Sequence, residues 1–221
     1  MRHIARYTTT AALLAASGLV LETAQAQKWE LGVTAGGGFY TNATVTSPAG
    51  DGKVGFKSGP SFGAIIGSNP YRHVGGELRY EYRRGDLKVS SGGTQATFNG
   101  DAHAVHYDFL IHMRPAREKV RPYVAAGAGV KIFRGIGKEV AYQPLNRLAL
   151  LTRTTETKGM ASVGAGVKIQ VGDSLAIRLE FRDLITPFPR QVIAPSVGAN
   201  ISGWLHDFVP MVGITYTHMR D

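Results

Sequence analysis

The sequence predicts an all-β fold: an eight-stranded antiparallel up-and-down transmembrane β-barrel, formed by residues 27–221. Three observations carry this. Apolar residues alternate with small or polar ones along most of the chain, the period of a strand with two unlike faces. The connections between these runs are short and long in turn. The polar faces of several runs carry opposite charges two residues apart, as a buried ionic network requires.

The first 26 residues stand apart. A basic start, Met1-Arg2-His3-Ile4-Ala5-Arg6, precedes the apolar run Ala11–Leu21, and Ala24-Gln25-Ala26 supplies small residues around a cleavage point. This is the pattern of a secretory signal, with cleavage expected between Ala26 and Gln27. Beyond it no apolar stretch reaches the roughly 18 residues of a membrane-spanning helix. With 43% hydrophobic and only 19% charged residues, the chain must nevertheless place much apolar surface somewhere. The absence of cysteine excludes a disulfide scaffold, thiolate metal sites and a thiol nucleophile. For an exported chain, the net charge of +9 points to anionic lipid or lipopolysaccharide rather than nucleic acid.

The eight strands are expected at Trp29–Tyr40, Ser61–Asn69, Val74–Val89, Ala96–Arg114, Arg121–Phe133, Met160–Val171, Leu175–Leu184 and Leu205–Met219. Asn69–His73, Pro115–Val120 and Gly172–Ser174 are short turns. Thr41–Pro60, Arg134–Gly159 and Ile185–Trp204 are long loops, and Arg84–Asp101 reads as a long hairpin outside the bilayer. An outer-membrane barrel segregates its connections in this way. In the longest loop, Leu145, Leu148, Leu150 and Leu151 are expected to pack locally as a short helix, with a docking patch as the alternative.

Alternation also sorts the faces. Glu77, Arg79, Glu81 and Arg83 oppose Val74, Leu78, Tyr80 and Tyr82; His106, Asp108 and His112 oppose Val105, Tyr107, Phe109 and Ile111; Arg178, Glu180 and Arg182 oppose Leu175, Ile177, Leu179 and Phe181. A soluble barrel would put the apolar face inside, and a membrane barrel inverts it. Closely spaced opposite charges, tyrosines and tryptophans near strand ends, and glycines on the polar face favour inversion. The expected lumenal network is Glu77, Arg79, Glu81, Arg83, Asp108, Lys131, Lys168, Arg178, Glu180 and Arg182.

GAGVKI occurs at Gly127–Ile132 and again at Gly164–Ile169. A phosphate loop needs Gly-x-x-x-x-Gly-Lys-Ser/Thr leading into a helix, and neither copy complies. Each instead reads as a strand with Ala128, Val130 and Ile132, or Ala165, Val167 and Ile169, toward lipid. Antiparallel pairing would put Lys131 near the outer end of the lumen and Lys168 near the periplasmic end.

The stretches RPYVAAGAGVKIF, GMASVGAGVKIQVGDSLAIRLEFRDL and HDFVPMVGITYTH together resemble the outer-membrane β-barrel-domain family of small OmpA- and OmpX-type proteins. The shared marks are Pro122-Tyr123, the glycine-alternating fifth and sixth strands, the Arg178–Asp183 strand after a tight turn, and Gly213 in the last strand. Two features depart from the family: the chain ends His218-Met219-Arg220-Asp221 rather than on an aromatic, and no peptidoglycan-binding domain is expected. Pro210 lacks a ladder donor and is expected at the upper end of the last strand.

The resemblance implies the outer membrane of a Gram-negative-type bacterium. It also implies contact with outer-membrane lipid and lipopolysaccharide, assembly by periplasmic chaperones and the barrel-assembly machinery, and a monomer. A structural or surface-interaction barrel with a side-chain-filled lumen is the leading reading. The alternatives are a narrow porin-like channel, a lipid A-modifying barrel enzyme and a soluble exported ligand-binding barrel. No His is followed two residues later by Ser, and His103, His106 and His112 divide between two faces of one strand. No catalytic residue, metal or cofactor is therefore expected.

Overall fold

A computed structural model describes residues 29–115 and 118–218; the expected signal segment and its cleavage point lie outside the described residues. The strands are β1 (Trp29–Tyr40), β2 (Ala43–Ser47), β3 (Gly50–Phe56), β4 (Gly59–Ser68), β5 (Val74–Arg84), β6 (Leu87–Ser91), β7 (Thr94–Phe98), β8 (Gly100–His112), β9 (Val120–Gly135), β10 (Ala149–Leu151), β11 (Thr155–Gln170), β12 (Leu175–Pro187), β13 (Ile193–Pro195), β14 (Asn200–Ser202) and β15 (Trp204–His218). Eight of them close an antiparallel barrel in the order β1-β15-β12-β11-β9-β8-β5-β4. Closure leaves no unpaired wall edge, the condition for a sheet to cross lipid.

The outward positions form an apolar belt. Leu31, Val33, Phe62, Leu78, Val105, Phe109, Val130, Leu179 and Val212 are all exposed. Exposed apolar surface on this scale is what a barrel in lipid presents, and the fold is a transmembrane barrel. Trp29, Tyr71 and Tyr216 stand toward the short-turn end of the belt, and Phe39, Trp204 and Phe62 toward the long-loop end, where aromatic rings favour the lipid–water boundary.

The long connections are not irregular. β14, β2, β3, β6 and β7 form a five-stranded sheet, and β10 pairs with β13. Together they cap the long-loop end over an apolar core that includes Val45, Val54, Phe56, Leu87, Val89, Phe98, Leu148, Leu151, Phe188, Val192 and Ile201. The expected third strand therefore divides at Gly85-Asp86 into β5 and β6, and the fourth at Asn99 into β7 and β8. The Gly92-Gly93 turn between β6 and β7 holds both glycines at positive φ (54° and 81°), a conformation that side chains resist.

The leucine-rich loop contains a strand rather than a short helix. Leu148 and Leu151 are buried, Leu145 packs against the same core at φ 62°, and Leu150 points out. The spacing of Leu148 and Leu151 suits a helix face, but pairing with β13 captures the segment as β10.

Pro210 departs from expectation too. It stands inside β15, opposite Phe181 of β12. Register pairs between β1 and β15 run to Gly36↔Met211 and resume at Phe39↔Phe208. The ladder opens opposite Pro210 because proline has no N–H to donate.

Candidate functional site

The inward positions of the wall hold a dense ionic network. Among the described residues, seven cations (Arg79, Arg83, Arg121, Lys131, Lys168, Arg178, Arg182) share the inward face with seven carboxylates (Glu30, Glu77, Glu81, Asp108, Glu156, Glu180, Asp207), all buried. Equal numbers matter because an uncompensated ion in such a space is costly.

The strongest contacts cross the barrel. Arg178 grips Glu77 with both terminal nitrogens at 2.6 and 2.9 Å. Arg79 does the same to Glu180 at 2.5 and 3.1 Å. Tyr123 joins the two pairs, its hydroxyl donating to Glu180 at 2.7 Å and accepting from Arg178 at 2.9 Å. The neighbours two apart on β5 are looser, with Arg79 at 3.3 Å from both Glu77 and Glu81. The alternation Glu-x-Arg-x-Glu-x-Arg thus sets which way the charges face, while β12 supplies the closest partners. Arg182 bonds Asp108, whose other oxygen meets His106 at 3.1 Å.

Every residue of the expected network lies on the inward face, though not in one cluster. Lys168 sits toward the short-turn end, 2.6 Å from Glu30 and 3.3 Å from Glu77. Lys131 sits toward the long-loop end, 2.5 Å from Asp207, which also bonds Arg83. Ala104, Met160, Leu184, Val209 and Met211 form a buried apolar cluster of their own. Chain order places it between the main network and the Arg83–Asp207–Lys131 group: Leu184 follows Arg182 on β12, and Val209 follows Asp207 on β15.

The repeated glycines make these approaches possible. A Cβ at Gly127 would lie 2.2 Å from Asp108 Oδ1, one at Gly129 would lie 2.5 Å from His106 Cβ, and one at Gly166 would lie 2.5 Å from the Tyr123 hydroxyl. Room is made chiefly for side chains of the adjoining strands. At Gly38 the Arg83 guanidinium lies against bare backbone, 1.2 Å from where a Cβ would be, while its carbon stands 4.2 Å above the Tyr40 ring.

Glu30, Asp207 and Tyr123 belong to the network beyond the expected set. Glu30 carried a signal, since it shares a parity with Gly32 and Thr34 on the first strand. Asp207 was obscured by Pro210, which made the start of the last strand look like its rim. Gly59-Pro60-Ser61-Phe62-Gly63 spells the Gly-x-Ser-x-Gly of a nucleophile elbow, which requires a sharp strand-to-helix turn. Here the stretch runs straight along β4, and the buried Ser61 hydroxyl reaches the Tyr82 carbonyl at 3.5 Å. His112 is buried inside while His103 lies on the outer wall, bonded to the Tyr80 hydroxyl at 2.8 Å.

The description "Outer membrane protein beta-barrel domain" matches residues 11–201. No curated protein matches the sequence. Among solved structures, the chain is similar to Neisserial surface protein A, with 10% identity, 86% of this chain and 96% of that chain covered, and a TM-score of 0.53. It is also similar to a major outer membrane protein from Thermus thermophilus (12% identity, 86% and 99% covered, TM-score 0.47). The N-terminal barrel of Pseudomonas aeruginosa OprF gives 14% identity, 86% and 97% covered, and a TM-score of 0.45.

Proposed function

The chain belongs to the outer membrane protein beta-barrel domain family, and from that premise we propose that it is a closed, non-conducting barrel that holds a folded cap at the cell surface for contact with other molecules. The observation that carries this reading is the filled interior. Eight strands leave a lumen only wide enough for side chains, and here it is occupied in succession by the main ionic network, the apolar cluster and the Arg83–Asp207–Lys131 group. Passage of a solute would require cross-barrel pairs such as Arg178–Glu77 to separate without water to replace them.

The cap supports the second half of the reading. It buries its own apolar core and turns Thr44, Lys53, Gln95, Thr97 and Asn200 outward. In this proposal the signal segment exports the chain, periplasmic chaperones and the barrel-assembly machinery insert it, and it works as a monomer among outer-membrane lipid and lipopolysaccharide.

Planar-bilayer recording tests the closed state. Purified, refolded protein should leave the membrane without unitary currents. Stable, reproducible channels would overturn the proposal in favour of a narrow pore.

A further inference from the structure

We propose that the outer wall carries a binding site for the phosphorylated headgroup of an outer-leaflet glycolipid, built on Arg84 and Arg134. This rests on the long-loop end facing outward and makes no use of the lumen being closed.

The site follows from register. Arg84 of β5 stands opposite Asp101 of β8, and Asp101 stands opposite Arg134 of β9. All three share the outward parity of Tyr82, His103 and Ile132 one step below. Two inter-strand spacings separate the arginine backbones by roughly 10 Å. Asp101 receives Arg134 through two bonds of 2.7 Å, which fix the guanidinium while its side chain stays 40% exposed. Arg84 is exposed and has no carboxylate within 4.0 Å among the described residues. The row therefore keeps a net positive charge after Asp101 is counted.

Its height is what selects the ligand. On β9 the outward residues from Val120 to Ile132 are all apolar, and Arg134 comes next. Twelve residue steps of about 3.3 Å, tilted by about 40°, rise roughly 30 Å, the thickness of the hydrocarbon layer. Arg134 and Arg84 thus emerge where acyl chains give way to headgroups. Immediately below, Tyr82 lies 5.3 Å from the His103 ring and pairs in register with Phe62, forming an aromatic shelf for the acyl–sugar junction. Arginine suits the ligand because its planar fork matches phosphate oxygens in pairs. The opposite wall differs, since the outward Asp183 there pairs with His206 at 2.8 Å and offers no comparable excess of positive charge.

The test uses full-length refolded protein in neutral detergent. Thermal protection is measured with bisphosphorylated lipid A, with the same glycolipid after enzymatic removal of its phosphates, and with inorganic phosphate. Bisphosphorylated lipid A should protect saturably, and the other two should not. Arg84→Gln, which breaks no ion pair, and Arg84→Gln/Arg134→Gln should weaken binding by about tenfold and a hundredfold, and Arg84→Lys, which keeps the charge but not the fork, should restore only part of the loss. Equal protection by dephosphorylated glycolipid would overturn the proposal, as would equal protection by free phosphate or unchanged affinity in Arg84→Gln. None of these readings measures conductance, so this site and the closed lumen can fail separately.

Discussion

The barrel wall and the cap are built from different strands that meet where the upper ends of the wall enter the cap core, and there they invert one another. On β9, Lys131 and Phe133 both point inward, two residues apart. Lys131 enters the ionic interior at Asp207, and Phe133 joins the cap core, stacked 5.2 Å from Phe56. The side-chain direction has not changed. What changes is the medium outside the wall, lipid below and water above. Where the outward face can be apolar at no cost, the inside is free to be polar; where water lies outside, the apolar residues must turn inward.

The two regions should therefore break differently. The largest effect is expected from Arg178→Ala. It strands Glu77, removes the donor to Tyr123, and leaves a carboxylate buried without its bidentate partner. Losing one member of a buried pair costs about 3–5 kcal/mol, and urea unfolding in detergent, read by heat-modifiable gel migration, should register it across the whole barrel. Wild-type stability in this variant would mean that the side chain is solvated.

Phe56→Ala should cost a similar amount, about 3–5 kcal/mol for a buried phenylalanine, but in a different place. Phe56 touches Tyr40 and Phe133 within the cap core, and the β-wall below it is held by its own ladder. The expected outcome is faster external proteolysis of residues 41–58 with gel migration of the folded barrel unchanged. Simultaneous loss of both signals would show one cooperative unit instead of two.

A smaller effect tests the glycine rule. A Cβ at Gly127 would sit 2.1 Å from the Tyr107 carbonyl oxygen, whereas nothing lies within 4 Å of one at Gly159. Gly127→Ala should destabilise the barrel by about 1–3 kcal/mol through overpacking, while Gly159→Ala, outward on β11, should leave it unchanged. Equal unfolding midpoints for the two variants would remove the packing account of the repeat.

These contrasts mark what was legible in the sequence. Within the bilayer, alternation at period 2 is enough, because each position faces either lipid or the lumen; Glu77, Arg79, Glu81, Arg178, Glu180 and Arg182 could be assigned to one face from spacing alone. Which carboxylate meets which guanidinium could not, because Arg178 and Glu77 are 101 residues apart and meet only when the barrel closes. Above the bilayer the same reading weakens. The strands β2, β3 and β7 are five to seven residues long and rich in glycine, threonine and serine, so their alternation is too brief to separate from a loop. Their order, β14-β2-β3-β6-β7, joins segments from three different connections.

The smallest expected effect is at Leu150 in the leucine segment, where packing and docking were both open, and its neighbour Leu151 supplies the contrast. β10 places Ala149 and Leu151 in register with Pro195 and Ile193, and Leu150 with Ala194 on the other face. Leu151 is therefore in the core, and Leu150 is 42% exposed. Leu151→Ala should cost about 2–5 kcal/mol and loosen the cap. Leu150→Ala removes little buried surface and should stay within about 0.5 kcal/mol of wild type. If the exposed leucine were part of a docking patch, its loss would leave stability alone but reduce attachment of intact cells to a surface that the wild type binds. A cell-attachment assay on the two variants, with proteolysis as the folding control, separates the cases. Packing predicts that Leu150→Ala attaches like wild type and resists protease; loss of attachment with an intact cap would assign the patch a partner.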